Sequence, residues 1–131
     1  MTKSIDLVKS LYAAFAAGDI PTFLGLLDQK VVWNEAESFP YADRNPYVGP
    51  EAIVTGVFQR IMTDFDGFQV VVGEIVGGPE VVTMLGRYVG KNRATGRALD
   101  VQCAHTWWIR DGKIVRFQQM VDTARTAATL R

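Results

Sequence analysis

Three side chains in this sequence have the chemistry to move protons in a mostly apolar setting: Glu35, His105 and Asp122. Glu35 ends the alternating run Val31-Val-Trp-Asn-Glu35, on the same strand face as Val31 and Trp33. If that face lines an interior, desolvation raises the carboxyl pKa toward neutrality and makes it an acid–base group. If the strand stops at Asn34, Glu35 is a solvated loop residue beside Glu37. His105 is the one histidine of the chain and alternates with Cys103 and Trp107, while Ala104, Thr106 and Trp108 point the other way. Facing inward, it can pair with Glu35 or Asp122 and shuttle a proton. Facing outward, it belongs to a sheet surface or a subunit contact. Asp122 follows the last strand-like run and precedes Thr-Ala-Arg, the setting of a helix N-cap as well as of a site residue. Trp33, Tyr41, Tyr88, Trp108, Phe117 and Gln119 are the expected ligand-contacting residues around these groups.

Other chemistries find little support. Gly77-Gly78-Pro79 lies between strands and not before a helix, so it is no phosphate loop. One His and one Cys leave no metal-ligand set, and neither a metal nor a cofactor is expected. Cys103 and His105 would stand about 7 Å apart along one strand, too far for proton transfer.

The elements that must position these groups are legible in the hydrophobic pattern. Ile5, Val8, Leu11, Tyr12 and Phe15 recur at helical spacing over residues 3–17, and Gly18 stops the helix. Asp19 caps a second, short helix with Phe23, Leu24 and Leu27 on its apolar face. Residues 36–49 hold Pro40, Pro46, Gly49 and three aromatic residues and read as a loop. Pro50 opens a third helix whose buried face is Ala52, Ile53, Val57, Phe58, Ile61 and Met62. After Gly67 the pattern turns to strands: Phe68–Val76, Val81–Gly90, Ala98–Arg110 and Lys113–Val121. Asp111-Gly112 is a hairpin turn, and three successive strand–turn–strand junctions predict an antiparallel meander. Thr123–Leu130 can form a final short helix. Helices first and strands later predict an α+β fold, a curved antiparallel sheet packed against three N-terminal helices as a cone with an apolar interior.

Composition is consistent with this. The chain has 131 residues, 48% hydrophobic and 21% charged, which suits one globular domain over 1–131 and not disorder. Its 14 basic and 14 acidic residues cancel, so no net field draws it to nucleic acid or anionic membrane. Residues 91–131 carry eight basic and three acidic residues, but the basic ones alternate with apolar neighbours instead of clustering. No stretch approaches the roughly 20 apolar residues of a membrane span. Asp6 breaks the first apolar run, so no signal peptide is read. A lone cysteine suits a reducing compartment, and a cytoplasmic location is expected. Apolar residues on both faces of the strands, Val70 and Val72 against Val71 and Trp107 against Trp108, predict a homodimer through the exposed sheet face.

Several segments together resemble the NTF2-like cone fold, and within it the SnoaL-like and ketosteroid-isomerase-like branch. They are Tyr12-Ala-Ala-Phe-Ala-Ala-Gly-Asp19, Val31-Val-Trp-Asn-Glu35, Tyr47-Val-Gly-Pro-Glu-Ala-Ile53, Ala104–Ile114 and Phe117–Thr123. The resemblance implies a small hydrophobic ligand or substrate and cofactor-free acid–base chemistry such as isomerisation, cyclisation or hydration. It also allows a non-catalytic binding or protein-interaction module, since this fold hosts both. It places Glu35 where steroid isomerases carry their carboxylate base and Asp122 where SnoaL-type polyketide cyclases carry an acid/base aspartate. The two oxyanion donors of the steroid isomerases fall at Leu11 and Ala104, so both are read as missing, with Tyr12 turned away. Arg87, between Glu35 and Asp122, would complete an epoxide-hydrolase-like triad only by pointing inward.

Overall fold

The computed structural model describes residues 2–131. Helix α1 (Thr2–Ala16) is followed by a turn at Gly18, which takes a φ of +72°. Helix α2 (Ile20–Gly25) is capped by Asp19, whose carboxylate accepts from the Thr22 amide at 3.2 Å. Strand β1 (Leu27–Asn34) and the short β2 (Tyr47–Val48) follow, the second inside the segment read as loop. Helix α3 (Pro50–Ile53) runs through a π-helical turn (Val54–Phe58) into α4 (Gln59–Asp64). The long strands are β3 (Phe65–Gly77), β4 (Val81–Asn92), β5 (Ala98–Arg110) and β6 (Lys113–Val121), and α5 (Thr123–Ala128) closes the chain.

The six strands form one sheet in the order β2-β1-β6-β5-β4-β3. The meander β3–β6 is antiparallel as its turns require, but β1 joins β6 in parallel, with Trp33 opposite Phe117. One-residue bulges interrupt the β3–β4 ladder between Asp66 and Gln69 and between Val72 and Ile75. Such bulges bend a strand and strengthen its twist, and they curl this end of the sheet. Gly86 belongs to that geometry: a Cβ there would lie 2.3 Å from the Val71 carbonyl oxygen.

The helices cover one face. Val8, Leu11, Ile53, Val57 and Ile61 meet Val31, Trp33, Val82, Met84, Val101, Trp107, Ile114 and Phe117, all buried. The π-helical turn departs from the uniform third helix. Its wider i→i+5 bonding keeps Ile53, Val57 and Ile61 on the core side, and Met62, expected to be buried, is 66% exposed. Gly56 sits in this turn under the Tyr47 ring, where a Cβ would come within 2.2 Å of Tyr47 Cε1.

Candidate active site in the cone

The interior of the cone holds a cavity of about 40 Å³. Its walls are aromatic: Trp33 and Phe117 lie 3.9 Å apart between ring centroids, Phe117 and Trp107 4.6 Å, and Phe68 and Tyr88 5.1 Å. Phe15, Phe58, Phe68 and Val70 line it and are only half-buried, so they mark the side on which the cavity nears the surface. Polar groups enter at Glu35, Tyr12, Tyr88, His105 and Gln119.

Strand β1 does end at Asn34, yet Glu35 is not solvated: it is 2% exposed and lines the cavity. Its backbone is fixed by one amide. The Asn45 Oδ1 accepts from the Glu35 N–H at 3.0 Å, and Asn45 Nδ2 donates to the Glu35 carbonyl at 2.8 Å. Its Oε2 accepts from the Trp33 indole N–H at 3.1 Å. Its Oε1 is buried without a hydrogen-bond partner among the described residues. Burial pushes the carboxyl up to about 8, against which the Trp33 hydrogen bond acts weakly downward. Such a group is a neutral acid at pH 7 and a base after losing one proton.

His105 faces in, buried with Cys103 and Trp107 on the inner side of β5. Its partners are neither Glu35 nor Asp122. Nδ1 stands 2.6 Å from the Tyr12 hydroxyl, and Nε2 meets the Tyr88 hydroxyl. Tyr12 Oη also accepts from Trp107 Nε1 at 3.0 Å, and Tyr88 Oη accepts from Gln119 Nε2 at 2.9 Å. Burial drives the imidazole down to about 3, so it is neutral at physiological pH. Burial also holds both tyrosine phenols well above their ordinary range, and they stay protonated.

Of the expected contact residues, Trp33, Tyr88, Phe117 and Gln119 line this cavity with Glu35 and His105. Three expected site residues do not. Trp108 alternates with His105 and therefore lies on the outer face, where the Arg116 guanidinium sits 4.2 Å above its ring. Tyr41 is buried one ring away, edge-on to Phe39, with its hydroxyl donating to Asp64 Oδ2 at 2.6 Å. Asp122 caps α5: its Oδ1 accepts from the Arg125 amide at 2.9 Å, and Arg125 Nε lies 3.6 Å from Oδ2. Arg87 points outward and pairs with Asp100 at 2.8 Å, so no triad spans Glu35 and Asp122. Tyr12, read as turned away, points into the cavity. Its helical spacing with Val8 and Phe15 is the signal in the sequence that puts it on the inward face.

Comparisons with known proteins agree with this architecture. The SnoaL-like domain family matches residues 8–117. No curated protein matches the sequence. Among solved structures, an NTF2-like protein of Burkholderia thailandensis is 30% identical, with a TM-score of 0.92 over 96% of this chain and 95% of that one. TerC, co-crystallized with polyporic acid, is 22% identical with a TM-score of 0.86 over 98% of both chains. IdmH of Streptomyces antibioticus, a putative polyketide cyclase, is 24% identical with a TM-score of 0.81 over 97% of both. With a cone of three helices on a curved sheet and a family match over most of its length, the chain belongs to the SnoaL-like domain family of NTF2-like proteins.

Proposed function

We propose that this protein is a cofactor-free acid–base enzyme whose substrate is a small hydrophobic molecule held in the aromatic cavity, with Glu35 as the proton carrier. The observation that carries the reading is the Glu35 carboxyl, buried against the cavity with Oε1 unpartnered among the described residues and a pKa pushed up to about 8. A buried carboxyl poised near neutrality can give a proton to one atom of a ligand and take one from another, the common element of isomerisation, cyclisation and hydration. His105, neutral and tied to two tyrosines, supports the site without carrying charge. The free volume of about 40 Å³ is far below the roughly 300–1,000 Å³ of drug-sized sites. Ligand entry therefore requires the half-buried rings at Phe15, Phe58 and Phe68 to move. Asp122 serves as a helix cap in this reading, not as a second proton carrier. The outer sheet face, with Val71, Leu85 and Met120 exposed, is the proposed contact with a second copy, and the proposed location is the cytoplasm.

The test is hydrogen–deuterium exchange of aromatic and polycyclic ketones in D₂O, followed by NMR with the wild type and Glu35→Gln. Polyporic acid, the compound named with a structural relative, is the first binding probe. The reading expects one or more ketones to exchange about 100-fold or more faster with the wild type than with the variant. It also expects the Glu35 carboxyl signal to shift on binding. A Glu35 that titrates near its ordinary value and ignores every ligand overturns it. Equal binding by both proteins with no exchange supports a non-catalytic binder instead, which needs the apolar cavity but no poised carboxyl.

A further inference from the structure

The polar end of the cavity contains a mismatch in hydrogen-bond bookkeeping. Two tyrosine hydroxyls, Tyr12 and Tyr88, each hold one proton to donate. Each oxygen already accepts from a fixed donor, Trp107 Nε1 in one case and Gln119 Nε2 in the other. The Gln119 amide cannot turn round to accept instead. Its Oε1 takes the Ala36 N–H at 3.0 Å, which fixes Nε2 toward Tyr88. The one acceptor within reach of either hydroxyl proton, among the described residues, is the imidazole of His105, touched by Tyr12 at Nδ1 and by Tyr88 at Nε2. A neutral imidazole has a single lone pair for a single N–H. Two O–H groups thus compete for one lone pair.

We propose that His105 is a tautomeric selector, its single ring proton deciding which of Tyr12 and Tyr88 donates a hydrogen bond to an oxygen atom of the ligand. With the proton on Nε2, Tyr12 donates to Nδ1, Tyr88 accepts from both Nε2 and Gln119, and the Tyr88 O–H is free. With the proton on Nδ1, Tyr88 donates to Nε2, Tyr12 accepts from both Nδ1 and Trp107, and the Tyr12 O–H is free. Protons balance in both states: one leaves a ring nitrogen as the other ring nitrogen gains one, and neither state carries charge. The site always presents one unspent donor, at either of two positions in the cavity wall. A ligand oxygen placed near one hydroxyl selects its tautomer, so one cavity accepts ligands in two registers relative to Glu35. The ligands so recognised are neutral molecules with an acceptor oxygen, a ketone or quinone carbonyl above all. His105 is a positioning residue here, and the two hydroxyls are the groups that touch the ligand. The inference deepens the proposed reading of the same cavity.

The test reads the tautomer directly, by long-range ¹H–¹⁵N NMR of the ¹⁵N-histidine-labelled chain between pH 5 and 8. The wild type is expected to show one protonated and one bare ring nitrogen throughout. Tyr12→Phe removes the partner of Nδ1. The proton on Nδ1 would bury an orphaned N–H against the new ring, whereas the proton on Nε2 leaves there only a bare lone pair and a Tyr88 O–H that faces the cavity as in one wild-type state, so this variant is expected to hold the proton on Nε2. Tyr88→Phe is expected to hold it on Nδ1. Adding acetophenone, a neutral ketone with a single acceptor oxygen, is expected to shift the wild-type tautomer population and to leave both variants fixed. The same tautomer in all three proteins overturns the proposal, as does an imidazolium in the wild type within that range, a result that needs no variant to fold. Either failure concerns His105 alone and leaves the Glu35 exchange assay to decide the enzyme reading.

Discussion

Replacing Glu35 with Gln is expected to shift the balance of stability toward the variant as pH rises. The carboxyl rises from an ordinary 4.5 to about 8 on folding. Below pH 4.5 it is protonated in both folded and unfolded chains, and its ionisation costs nothing. Between 4.5 and 8 the unfolded chain releases the proton and the folded chain keeps it, so stability falls as pH rises, by about 1.4 kcal/mol per pH unit. Above 8 both states are ionised and the loss levels off at about 5 kcal/mol. Gln cannot ionise. Its NH₂ would occupy the unpartnered place of Oε1 at a cost of about 1–3 kcal/mol, but that cost is independent of pH. The slope is therefore the diagnostic quantity, not the intercept. Urea unfolding of both proteins at pH 5, 6, 7 and 8 measures it. The stability difference should move toward the variant by about 3 kcal/mol or more across that range. Parallel stability–pH curves would refute the burial argument and, with it, the poised carboxyl.

Other outcomes follow from neighbouring contacts. Trp33→Phe removes the one hydrogen bond to Glu35 Oε2, so the Glu35 carboxyl should titrate at still higher pH in a ¹³C NMR titration. Asp122→Ala should lower stability by about 1 kcal/mol through the lost helix cap and leave the Glu35 titration unmoved. Gly56→Ala drives a methyl into the hydrogen-bonded Tyr47 ring and should cost about 1–3 kcal/mol in urea unfolding.

The sequence made the framework legible because its signals were local. Asp19 as a cap, Pro50 as a helix start and Asp111-Gly112 as a hairpin each act over a few residues, and each appears where read. The period of two also established that His105 and Trp107 share one face and Trp108 takes the other. It could not say which face is inside, because β5 carries apolar residues on both. That choice depends on what the helices cover, a long-range fact. The parallel pairing of β1 with β6 is of the same kind, joining residues some 84 positions apart, such as Trp33 and Phe117. Strand and burial also proved separable at Glu35: the ladder stops at Asn34, but the side chain stays inside. The loop residue Asn45, which fixes that position, carries no periodicity or motif, and nothing in the sequence singled it out.

The Asn45 side chain reproduces the two-way pairing that a neighbouring strand would give to the Glu35 peptide group. The backbone that carries the carboxyl is thereby held by a side chain at the far end of a ten-residue excursion, together with the Ala36 N–H bond to Gln119. Exposed positions between them, such as Glu37 and Arg44, can change without moving the acid, whereas Ala36, Phe39 and Tyr41 are part of the core. The segment can thus vary its solvent-facing side chains beside the carboxyl while its buried ones keep the acid in register, two tasks divided within one short stretch of chain.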